Sequence, residues 1–148
     1  MIVLCDTNIL LRSIETDHPR FLETNEGIEK LIHDKHELVI LFQNIAEFWN
    51  VCTRPKDKNG FGFSIDRATG VLESILGYFD ILIESPETVG LWRELVITHQ
   101  VKGVQVHDAR LVAAMKMRGI RHILTYNGRD FSRYPDLTIL TPADVLTA

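Results

Sequence analysis

The chain has 148 residues, 45% hydrophobic and 24% charged, which is enough apolar mass for one domain with its own core. That balance excludes a disordered chain, and no apolar run approaches the ~20 residues needed to cross a bilayer. The net charge of −4 gives no overall basic footprint for nucleic acid.

The first apolar run, Ile2–Cys5, predicts a buried strand and meets Asp6 without a basic leader. Cys5 and Cys52 both sit in apolar stretches without metal-type spacing, so free buried thiols and a cytoplasmic location are expected. Asp6 serves locally as a cap for a helix through Ile9, Leu10 and Leu11. It also stands at a strand's carboxyl end, where open α/β sheets bind ligands. A second helix carries Ile28, Leu31 and Ile32 on one stripe.

The run Leu38–Phe42 predicts the next strand and leads into a helix that is apolar nearly all round: Ile45, Ala46, Phe48, Trp49, Val51 and Cys52. Such a helix is expected to be buried, and Trp49 to be core. Asn44 and Glu47 have the spacing of a capping box. Yet Glu47 is the only charge between Glu37 and Arg54, and a lone buried carboxylate needs a partner, which a metal ion supplies.

Arg54–Phe63, RPKDKNGFGF, predicts an exposed loop in which Phe61 and Phe63 either dock on the core or serve a partner. Ser64 caps a helix with Ile65, Ala68, Leu72, Ile75 and Leu76 on its stripe. The run Phe79–Ile83 is a third strand, and Ser85-Pro86 opens a helix with Leu91, Trp92, Leu95 and Val96. Asp108 begins another, with Leu111, Val112 and Met115 at spacings that put the acid on the core-facing side. A helix N-terminus alone also keeps such a carboxylate ionised.

His122–Thr125 and Thr138–Leu140 complete five strands, and Thr141-Pro142 starts a terminal helix. Strands alternating with helices predict a single α/β domain over 1–148, with a mostly parallel sheet of about five strands. After the fourth strand come Asn127 and Asp130, in a segment that on its own reads as an Asn-Gly turn. The six histidines form no ligand set. Between Lys102 and Arg133, seven basic residues meet two acids, a local +5 against −9 elsewhere. That segment is either a solvated helix face or a surface that attracts phosphate.

Four acidic positions therefore fall at the same predicted sheet edge. DTN at Asp6–Asn8, the buried Glu47, HDA at His107–Ala109 and the TYNGRDF stretch resemble the PIN-domain nucleases, in particular the VapC-like toxins of bacterial toxin–antitoxin pairs. The resemblance spans essentially the whole chain and rests on the order and spacing of short motifs. It implies a PIN-like three-layer fold and an acidic metal site of Asp6, Glu47, Asp108 and Asp130. Asn8 would orient the first acid, with Thr125 and Asn127 in auxiliary positions. One departure is visible: Asn127 stands where many members carry another aspartate, and Asp130 lies one residue later than in the tighter form.

Oxygen-only ligands select hard cations, so one or two Mg²⁺ or Mn²⁺ ions are expected. The resemblance further implies RNA as substrate, a cognate antitoxin and a homodimer. Arg110, Lys116 and Arg129 are the first candidates for holding flanking phosphates. Two other readings share these residues. One is a PIN-like module that binds RNA or protein without cutting. The other is a Mg²⁺-dependent phospho-acceptor domain, against which stands the lack of DxDx[TV] after the first strand.

Overall fold

The short apolar runs become strands because a sheet covered on both sides buries successive side chains in opposite directions. In a computed structural model describing residues 1–148, these are β1 (Ile2–Cys5), β2 (Glu37–Ile40), β3 (Asp80–Ile81), β4 (His122–Leu124) and β5 (Thr138–Leu140). They lie in the order β3-β2-β1-β4-β5, and every neighbouring pair is parallel. Val3, Cys5, Leu38, Ile40 and Leu124 face one core, while Leu4, Val39 and Ile123 face the other.

Helices close both sides. α1 (Thr7–Ile14), α2 (Phe21–His33), α3 (Phe42–Thr53), α4 (Ile65–Tyr78) and the terminal α7 (Pro142–Thr147) cover the first core with Ile9, Ile28, Phe48, Ile75 and Val145. α5 (Thr88–Thr98) and α6 (Val106–Met117) cover the second with Leu95, Leu111 and Met115. The expected three-layer α/β architecture is present. Cys5 and Cys52 are free and buried. No helix is long and apolar enough to cross a membrane.

Several local expectations shift. β2 ends at Ile40 rather than Phe42, because Asn44 reaches back to the Leu41 amide and starts α3 there (Oδ1 to N, 2.8 Å). Phe42 is consequently 71% exposed, and Ala46 and Asn50 lie exposed one and two turns along, so α3 is not buried all round. β3 keeps only two residues of the predicted five, since as the edge strand it pairs with β2 alone. α5 begins at Thr88, after a turn in which Ser85 and Pro86 accept the first amides. Ile32, Ile65 and Leu76 stay exposed at the margins of their stripes.

The predicted loop after α3 holds a 3-10 turn at Lys56–Lys58 and folds back on the helix. Phe61 and Phe63 donate their amides to Val51 and Cys52, and both rings pack on the first core. Arg67 stacks 4.0 Å above the Phe63 ring. Trp49 and Trp92 also pack against the two cores.

From β1 the chain steps outward to β2 and β3, then returns to place β4 on the opposite side of β1. The carboxyl ends of β1 and β4 thus adjoin at the topological switch point, the crevice where such sheets bind ligands. The Asp6 amide bonds the Leu124 carbonyl across this junction (3.0 Å).

Candidate active site

Asp6 occupies the switch point because β1 ends one residue before it. Its Oδ1 accepts from the Thr7 amide at 2.8 Å, which is the cap expected of it. Its Oδ2 is turned to the Thr125 hydroxyl (2.8 Å) and the Asn8 amide (3.1 Å). Asn8 also donates to Thr125 (3.2 Å) and accepts from the Tyr126 amide (3.0 Å), so the ends of β1 and β4 are laced together. Asp6 is 7% exposed, and Thr125 is fully buried.

Glu47 is not part of a capping box. It lies beyond the first turn of α3, while Asn44 satisfies the helix start. The Glu47 carboxylate instead accepts from the Thr7 hydroxyl (Oε2, 2.6 Å) and from Gln43 (Oε1, 3.0 Å). Asn44 donates to the same Thr7 hydroxyl at 3.1 Å. Thr7 therefore links the first acid to the second.

Asp108 lies in the first turn of α6, half-buried, and Asp130 in a 3-10 turn over Gly128–Phe131. That turn presses against β5: a Cβ on Gly128 would meet Ile139 Cγ2 at 3.0 Å. Asp130 is half-buried, whereas Asn127 is exposed and contributes only backbone bonds, to Thr125 and Asp130.

Two of the four carboxylates, Asp6 and Asp108, carry the mark of the others' charge. Burial first, then the charges of Asp6, Asp130 and Glu47, push the Asp108 carboxyl up to about 7, against the opposite pull of Arg133. Asp6 is also raised, mainly by burial and further by Glu47 and Asp130, although Thr125 and the Thr7 amide hold it down. None of the four forms a salt bridge.

A family model for the PIN domain matches residues 3–137. This chain belongs to the PIN-domain family. Similar solved folds include VapBC2 from Rickettsia felis bound to a promoter DNA fragment, at 19% identity and a TM-score of 0.71, covering 95% of this chain and 98% of that one. VapBC-1 from nontypeable Haemophilus influenzae follows at 18% identity and 0.70, covering 97% and 99%. VapC20 of Mycobacterium tuberculosis, described as a Sarcin-Ricin loop cleaving toxin, matches at 13% and 0.64, covering 89% and 95%. No curated protein matches the sequence significantly.

The candidate site suits a hard divalent cation. Its acids are all oxygen donors without cationic partners, and the buried Gln43 Oε1 beside Glu47 accepts no hydrogen bond. As they stand, no three carboxylates share one point at direct ligand distance. Mg²⁺ keeps several waters and usually takes only one or two carboxylates, so a hydrated ion fits the arrangement.

Two of the three cations expected to hold phosphate are paired with acids outside the four. Arg110 points to Glu84 (3.2 Å), and Lys116, two turns beyond Asp108, pairs with Asp136 (3.1 Å). Arg129 is exposed beside Asp130. The cation that Asp108 feels is Arg133, half-buried and hydrogen-bonded to Gln105. Its signal in the sequence was its place three residues after Asp130. Gln43 and Thr7 had no such signal, being uncharged.

Acid crowding has a measurable sign. Asp108 binds its proton more tightly folded than unfolded, so stability should rise as pH falls through about 7 towards 4. For a fully buried group the effect would be about 4 kcal/mol at pH 8; solvent screening of this half-exposed one leaves about 1 kcal/mol. About half of that is recovered by pH 5.5, so thermal melts in EDTA should rise by about 1–2 °C from pH 8 to pH 5.5. The Asp108→Asn protein should show a smaller rise, and a flat wild-type profile would contradict the crowding.

Proposed function

We propose that this protein is a Mg²⁺- or Mn²⁺-dependent endoribonuclease and the toxin of a toxin–antitoxin pair. The observation that carries the reading is the set of four acids near the switch point, none in a salt bridge, whose charges act on Asp6 and Asp108. Membership of the PIN family and the likeness of fold to toxin–antitoxin structures support it.

In this reading Asp6, Glu47, Asp108 and Asp130 hold one or two ions. A bound ion supplies Lewis acidity, activation of water near neutral pH and neutralisation of phosphate charge. The protein's own share is positional. Thr125 and Asn8 fix the Asp6 carboxylate, while Thr7 and Gln43 each occupy one oxygen of Glu47. Asp130 rather than Asn127 supplies the fourth carboxylate, because its charge acts on both Asp6 and Asp108. Arg129 and Arg133 flank the acids as contacts for RNA phosphates. Arg110 and Lys116 serve a longer strand only by leaving Glu84 and Asp136.

The same carboxylates explain how a partner would silence the enzyme: an antitoxin segment offering an arginine would meet acids that form no salt bridge within the chain. A homodimer would place two such pockets in one particle. Incubating the purified chain with end-labelled RNA and Mn²⁺ or Mg²⁺ should yield cleavage that EDTA stops and added Mn²⁺ restores. RNA retention without cleavage at any metal concentration would make it a binding module.

A further inference from the structure

Gln43 is 8% exposed and sits on α3 one turn before Glu47. Its Nε2 donates both to Glu47 Oε1 (3.0 Å) and to the carbonyl of His107 (2.9 Å), the residue before Asp108. The amide cannot be reversed, since its oxygen would then face two other oxygens. It is the one side-chain hydrogen bond that joins α3 to α6, across 64 residues of sequence.

We propose that Gln43 is a positioning residue that sets the spacing between the carboxylates of Glu47 and Asp108, and so the affinity of the site for a divalent ion. The proposal rests on the metal-dependent reading above. Glu47 has one donor on each oxygen, Thr7 on one side and Gln43 on the other, so losing Gln43 frees one side of the carboxylate. Asp108 has no side-chain hydrogen bond of its own; the first turn of α6 places it, and Gln43 grips that turn at His107. A single buried nitrogen thus holds two acids from distant parts of the chain. Partners of metal ligands at this remove typically change metal affinity 10–100-fold when lost.

The test uses the full chain and four proteins: wild type, Asp108→Asn, Gln43→Met and Gln43→Asn. Methionine keeps length without a donor, and asparagine keeps the donor but falls short by one methylene. Mn²⁺ affinity is measured by calorimetry without RNA, beside the Mn²⁺ dependence of cleavage and the KM for RNA.

Both Gln43 variants should bind Mn²⁺ about tenfold more weakly. Their kcat should recover at saturating Mn²⁺, with KM for RNA within about twofold of wild type. Hydrogen exchange over residues 103–111 should speed up in the metal-free protein, which needs no ion to be seen. One folded variant suffices for the comparison; if neither folds, Gln43 is a structural residue and the proposal fails. A lower melting temperature with unchanged Mn²⁺ affinity overturns it as well. If Asp108→Asn loses Mn²⁺ while both Gln43 variants bind normally, only the positioning role falls. A wild type that binds no Mn²⁺ removes the metal-dependent reading and this proposal together.

Discussion

Asp108→Asn is expected to lower metal-dependent RNA cleavage by about 10³-fold, with the fold intact and the metal-free protein slightly more stable. Metal-assisted stabilisation of phosphoryl charge contributes several kcal/mol, and each ~1.4 kcal/mol is a factor of ten in rate. Asparagine keeps the shape of the side chain and its place in the first turn of α6 but removes one charge from four. The remaining acids then repel less, and a carboxyl held up to about 7 no longer has to ionise at pH 8. Activity and stability should thus move in opposite directions, which a general folding defect cannot produce. Cleavage rates at saturating Mn²⁺ and melts in EDTA read both. Full activity in this variant would remove Asp108 from the site.

The same residue shows what sequence reading can reach. Asp6, Glu47, Asp108 and Asp130 could be singled out in the sequence because Asp6 directly follows an apolar run, Glu47 is a lone charge in an apolar helix, Asp108 falls on the apolar stripe of its helix and Asp130 comes soon after the fourth run. An α/β alternation also sends the ends of its strands to one edge. The supports of those acids were not legible. Asn44 and Glu47 have the spacing of a local capping pair, yet the partner they share is the Thr7 hydroxyl, far away in sequence. Gln43 likewise meets His107 only because the sheet brings α3 beside the start of α6. Charge counting had a related limit: it located a basic segment but not the partners of its side chains, and on α6 Arg110 meets Glu84 and Lys116 meets Asp136. Strand limits moved because pairing, not apolarity, ends a strand. Phe42 belongs to an apolar run but begins a helix, on the exposed side.

Phe131→Ala is expected to destabilise the protein by about 3–5 kcal/mol, lowering the melting temperature by about 10 °C. Phe131 is fully buried in the second core and ends the 3-10 turn that carries Asp130. Beyond it the Tyr134 amide bonds the Phe131 carbonyl (3.1 Å), and the buried Tyr134 ring meets His99 edge-on at 5.0 Å. Removing the phenyl group leaves a cavity directly beneath an acid whose carboxylate has no hydrogen bond to fix it, so the turn loses its anchor. Activity should then fall even at temperatures where the variant remains folded. Asp130→Asn supplies the contrast, because it should lose activity with an unchanged or higher melting temperature, its backbone anchor being intact. Phe131→Leu, which refills most of the cavity, should recover most of both properties. If Phe131→Ala melted as the wild type does, the core would not be what places Asp130, and the fourth carboxylate would owe its position to the Asn127–Gly128 turn alone.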